Sequence, residues 1–115
     1  MSYSVHVFPR ALEAAYEEAD DPSFFEDDAN LVAFDAAVLE HLVSALERSG
    51  FIEGKKTKDA RHFANAEWPA TALLTPTGLY LSASGVDGIF EIGMFASELA
   101  DDTLAKFDPH EGAWE

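Results

Sequence analysis

The sequence contains no cysteine. Disulfide frameworks, thiolate nucleophiles and cysteine-ligated zinc are therefore excluded. Cations are scarce: Lys and Arg number 7 against 22 Asp and Glu, a formal net charge of −15. Such a surface repels phosphate, which argues against nucleic acid or a membrane as a direct partner. No segment approaches the ~18 consecutive apolar residues that a membrane helix needs. The opening stretch "MSYSVHVFPRALEAAYEEADD" has no basic region followed by a long apolar run, so a cytoplasmic address is expected.

The chemistry-bearing patterns are missing as well. There is no G-x-x-x-x-G-K or G-x-G-x-x-G phosphate cradle, and Ser82 and Ser84 in "LSASGVDG" do not sit in a G-x-S-x-G frame. His6, His41, His62 and His110 are scattered without a metal-ligand spacing. The segment "DDPSFFEDD" lacks the alternating acids, central glycine and terminal glutamate of a calcium loop. No cofactor, metal or catalytic residue is expected, and the chain reads as a non-enzyme.

What is present is enough apolar material for a core. At 115 residues with 48% hydrophobic composition, the chain reads as one folded domain over residues 1–115 rather than a disordered acidic tail. Its charge favours a cationic protein partner, steered over roughly a Debye length of ~8 Å at physiological salt. The other source of such acidity is solubility or a saline cytoplasm.

Alternation at Tyr3, Val5 and Val7 predicts a first strand, and "RALEAAYEEA" after Pro9 predicts a first helix with Leu12, Ala15, Tyr16 and Ala19 on one stripe. Asn30 to Ser49 predicts a second helix, with Leu31, Phe34, Val38, Leu39, Leu42, Val43 and Leu46 on its apolar face and Gly50 as its left-handed cap. Asp35 falls inside that stripe, so either the helix begins there as an N-cap or a carboxylate is partly buried. "FIEGKKTKDARHF" reads as an exposed connection between two short extended pieces. Three strands are then expected, Thr71 to Thr75, Leu79 to Ser84 and Ile89 to Met94, joined at "TPTG" and "GVDG". Ser97 to Phe107 reads as a last short helix, followed by a tail that docks through Trp114. The expected class is α+β: a single antiparallel sheet, a three-stranded meander plus one or two short strands, with two main helices packed on one face.

The acidic loop "DDPSFFEDD" and the meander "WPATALLTPTGLYLSASGVDGIFEIG" give the chain a general resemblance to the small cytosolic immunity proteins with which bacteria neutralise toxins delivered by contact-dependent or type VI secretion systems. The resemblance implies a stoichiometric inhibitor that occludes the basic site of a toxin domain. Partner contacts are expected at Asp20, Asp21, Phe24, Phe25, Glu26, Asp27 and Asp28, where acids supply encounter and a phenylalanine supplies grip, and at Trp68 before Pro69. Two other readings stand beside it. One is a ligand-binding or enzymatic domain with Asp35 in a pocket between the second helix and the sheet. The other is a module that self-associates through a sheet edge or the Trp68 region, so that the chain is either a monomer or a homodimer.

Overall fold

The alternation at the amino terminus becomes β1 (Ser2–Pro9) in the computed structural model, which describes residues 2–19, 31–57, 60–65, 67–101, 103–109 and 113–114. Val5 and Val7 turn to one side and Phe8 to the other, and all three are buried, so β1 has a core on each face. A strand buried on both faces belongs in the middle of a sheet. β1 lies between β5 (Gly78–Ser84) and β6 (Leu104–Asp108), antiparallel to both, with Val5 opposite Leu81 and Val7 opposite Leu79 and Lys106.

The remaining strands extend the sheet outward in sequence order. β2 (Phe51–Lys56), β3 (Arg61–Asn65), β4 (Ala70–Thr75) and β5 form an antiparallel run, and the short β7 (Ala113–Trp114) adds to β6. The order among the described residues is β2-β3-β4-β5-β1-β6-β7, a seven-stranded antiparallel sheet. The tight link between β4 and β5 is set by Thr75, whose Oγ1 accepts from the Gly78 amide at 3.0 Å. Gly78 is required there, because a Cβ would stand 2.9 Å from the Phe8 ring.

Among the described residues three helices lie on the two faces. α2 (Ala36–Arg48) and α3 (Val86–Leu99) cover one face, with Leu42, Leu46, Ile92, Phe95 and Leu99 set against Val5, Val7, Phe63, Leu79 and Leu81. α1 (Arg10–Ala19) covers part of the other, where Leu12 meets Phe8 and Phe107, with Tyr16 and Trp114 at the margin. The α+β class and the single antiparallel sheet are as the sequence predicts, but α1 lies opposite α2 instead of beside it. The cause is the parity of β1: Phe8 points away from Val7, and the helix that follows directly supplies its cover.

Two elements differ from expectation. Ile89 to Met94 is not a third meander strand but the middle of α3. Gly88, Ile92, Phe95, Ala96 and Leu99 are its buried residues, a helical spacing, and Gly85 at φ 84° turns the chain out of β5 so that the Ile89 amide bonds the Gly85 carbonyl at 3.0 Å. The last helix expected over Ser97 to Phe107 is instead the end of α3 followed by β6. Asp101 breaks the helix there, its Oδ1 accepting from the amides of Thr103 at 2.8 Å and Leu104 at 2.9 Å.

The second helix starts later than the apolar pattern suggests. Residues 31–35 are not helical, because the Phe34 amide bonds the Pro76 carbonyl at 2.8 Å and buries the Phe34 ring. Asp35 is the exposed N-cap, in extended conformation, and its side chain makes no capping bond. Ser49 is the C-cap, and Gly50 after it takes the left-handed conformation at φ 94°, its amide donating to the Glu47 carbonyl.

Candidate partner-binding surface

Large apolar side chains left in water mark a surface with a use. On α3 three of them form a row. Val86 is 83% exposed, Phe90 63% and Met94 48%. Their spacing of four places them along one ridge of the helix, on the side away from Ile92 and Leu99, over a length of ~12 Å at ~1.5 Å per residue. The ridge exists because α3 carries apolar residues on two sides: Ile92, Phe95, Ala96 and Leu99 fill the core side, and Phe90 and Met94 remain outside.

Carboxylates border this ridge. Asp87 and Glu91 form the neighbouring row at the same spacing of four, and Glu98 continues the apolar row one turn beyond Met94. Asp87 and Glu98 are exposed and Glu91 is half-buried. On the opposite flank Gly93 and Ser97 carry little or no side chain, and Lys106 Nζ donates to Ser97 Oγ at 2.9 Å. Acids thus lie on one side of the apolar row and a cation on the other.

α3 is held firmly against the sheet. Gly88 rests on the corner before β4, where the Pro69 carbonyl accepts from the Ser84 amide at 3.1 Å. Trp68 belongs to the same corner: it is half-buried, its ring meets Phe51 edge-on with centroids 5.6 Å apart, and its amide donates to Asn65 Oδ1 at 2.9 Å. This site residue from the sequence therefore packs against the core and adjoins the first turn of α3. Asp20, Asp21, Phe24, Phe25, Glu26, Asp27 and Asp28 lie outside the described residues.

Other parts of the described surface are concave. The part of the α1 face that α1 leaves open has a shallow depression of about 430 Å³ where His62, Thr71, Leu73, Tyr80 and Ser82 point outward beside Lys55. Its outward positions on β3, β4 and β5 carry no carboxylate. A cleft of about 360 Å³ runs past Arg10, Phe34, Asp35 and Thr103. Its arginine is occupied, however: Arg10 Nη2 donates to the carbonyls of Asp101 at 2.7 Å and Leu104 at 2.8 Å, and Nη1 to Glu13 at 3.0 Å. Among the described residues no three His, Asp or Glu side chains converge on a position that a metal ion would fill.

The sequence reading missed the α3 surface because it took Ile89 to Met94 for a strand. In that conformation Phe90, Ile92 and Met94 share a face and look like core. The clue to the helix was the longer series Gly88, Ile92, Phe95, Ala96 and Leu99, visible only when the window runs past Met94. No family model, curated protein or solved structure matches the chain.

Proposed function

We propose that the chain is a non-enzymatic acidic binding protein, a stoichiometric inhibitor of immunity type that occludes a cationic partner such as a secreted toxin domain. One observation carries this reading: the exposed row Val86, Phe90 and Met94 lies directly beside Asp87 and Glu91 on a chain of net charge −15. Long-range charge accelerates encounter with a basic surface, and desolvated apolar side chains slow its release. Both properties meet on α3, a rigid element, so little ordering entropy is lost when a partner docks.

Asp35 supports an enzymatic or ligand-binding alternative poorly, since it is an exposed helix cap instead of a polar group inside a closed pocket. Self-association has to bring together two chains of −15 each, which charge repulsion opposes.

The test pairs the purified chain with the product of the reading frame beside its own gene. The expected result is a one-to-one complex that weakens as salt rises and rescue of growth when the two are co-expressed. A neighbouring product that is neither toxic nor bound, together with turnover by the isolated chain in a substrate screen, would overturn the proposal.

A further inference from the structure

Gly93 sits in the middle of α3, where glycine is among the worst helix formers. Elsewhere in the same helix the chain has a reason for glycine: a Cβ on Gly88 would stand 3.1 Å from Pro69 Cγ and 3.2 Å from Ala83 Cβ. At Gly93 the described residues give none. Outside the helix's own backbone a Cβ there meets no described atom within 4 Å, and the backbone is ordinary helix. The space is therefore open to a partner.

The position of Gly93 says what that use is. Successive rows at a spacing of four run side by side along a helix. One row is Val86, Phe90 and Met94, a ridge; the next is Ile89, Gly93 and Ser97, where side chains shrink to nothing and then to a hydroxyl. A ridge beside a groove at helical pitch is the complement of another helix, whose own ridge enters the groove while Phe90 and Met94 enter its neighbour's groove. A flat or irregular partner surface has no need of the groove.

We infer that α3 seats a partner α-helix along the Val86–Phe90–Met94 ridge, with the Gly93–Ser97 groove admitting it closely, and that this helix is amphipathic and cationic on the flank that meets Asp87 and Glu91. The inference rests on the binding function proposed above and specifies the element bound. Charge decides the occupant: a second copy of the chain brings another −15, whereas Lys or Arg beside Asp87 and Glu91 complements the row.

The experiment uses the full chain and two labelled peptides of equal composition, each of about 18 residues so that helix can form on binding. One has leucines at helical spacing with lysines along one flank; the other has the same residues scrambled. Fluorescence anisotropy reads affinity, and circular dichroism reads helix gained in the mixture. The patterned peptide is expected to bind at least about tenfold more tightly than the scrambled one and to gain helix. Phe90→Ala and Gly93→Leu should each remove about tenfold, while Gly93→Ala should lose less. Equal, salt-sensitive binding of both peptides, unaffected by Gly93→Leu, overturns the helix seat and leaves an acidic surface that attracts cations. Absence of binding by either peptide overturns it too. The toxin-complex test above is independent of these outcomes, so failure of the seat and failure of the function are separable.

Discussion

Gly88 and Pro69 approach so closely that a Cβ on the glycine would lie 3.1 Å from Pro69 Cγ. This contact lies on the buried side of α3, with Ile92, Phe95, Ala96 and Leu99. The first prediction contrasts the two glycines of the helix. Gly88→Val should destabilise by ~1–3 kcal/mol or more through overpacking, and Gly93→Ala should stabilise by ~0.5–1 kcal/mol by relieving the glycine's unfolded-state entropy. Denaturant melts of both variants check this. A loss of stability in Gly93→Ala would show that the groove is used within the fold.

A second pair of substitutions tests the face assignment of α3. Ile92 is fully buried, so Ile92→Ala should cost ~2–5 kcal/mol. Phe90, two residues earlier, should change stability by no more than ~0.5 kcal/mol when replaced by alanine, since its ring lies mostly in water. In a strand the two side chains would point the same way and respond alike. Equal costs in equilibrium unfolding would restore the strand.

That pair also shows where the sequence is legible. α1 follows directly from "RALEAAYEEA", whose apolar stripe has a single helical solution, and β4 and β5 follow from alternation closed by "TPTG". Gly50 is legible because few residues other than glycine adopt φ 94° at a helix end. α3 is not legible in its first half: "GIFEIGM" satisfies both a period of two and a period of 3.6, and the helix shows only in the longer series Gly88, Ile92, Phe95, Ala96 and Leu99. The start of α2 is non-local. Leu31 and Phe34 continue its apolar stripe, but the Phe34 amide goes to Pro76, some forty residues away in sequence. The α3 surface is hidden for the same reason, since exposure of Phe90 and Met94 is a property of the packed helix.

A third prediction concerns the edge hairpin. Arg61 holds Glu53 with both arms of its fork, Nε to Oε2 at 2.6 Å and Nη2 to Oε1 at 2.8 Å. The side-chain hydrogen bond to Arg61 pulls the Glu53 carboxyl below its ordinary value of 4.5. A carboxyl with a lowered folded pKa contributes stability above its unfolded pKa and loses it as pH falls through the folded one. Glu53→Gln should therefore be less stable than the parent near neutral pH, with the difference small because the pair is solvated, and the gap should close below the usual carboxylate range. Parallel melts across acid pH measure it. A gap that widens on acidification would contradict the assignment.

The last prediction separates the α3 surface from the acid-and-aromatic segment "DDPSFFEDD". Against a cognate basic partner, Asp87→Asn with Glu91→Gln should slow association and flatten its salt dependence, because the substitutions remove long-range attraction and leave the apolar contact intact. Phe90→Ala should act the other way, leaving association nearly unchanged and speeding dissociation by an amount equivalent to ~1–3 kcal/mol. The same two kinds of substitution in the acidic segment, at Asp20, Asp21, Glu26, Asp27 and Asp28 for encounter and at Phe24 or Phe25 for grip, give the comparison. Stopped-flow association and dissociation rates resolve each variant. If the acidic segment carries the site, its phenylalanines will govern dissociation and Phe90→Ala will be silent. If α3 carries it, the acids of the segment will alter association alone, since charges outside an interface steer a partner without touching it. A Trp68→Ala variant that abolishes binding while Phe90→Ala and the acidic-segment variants leave it intact would move the interface to the Trp68–Pro69 corner.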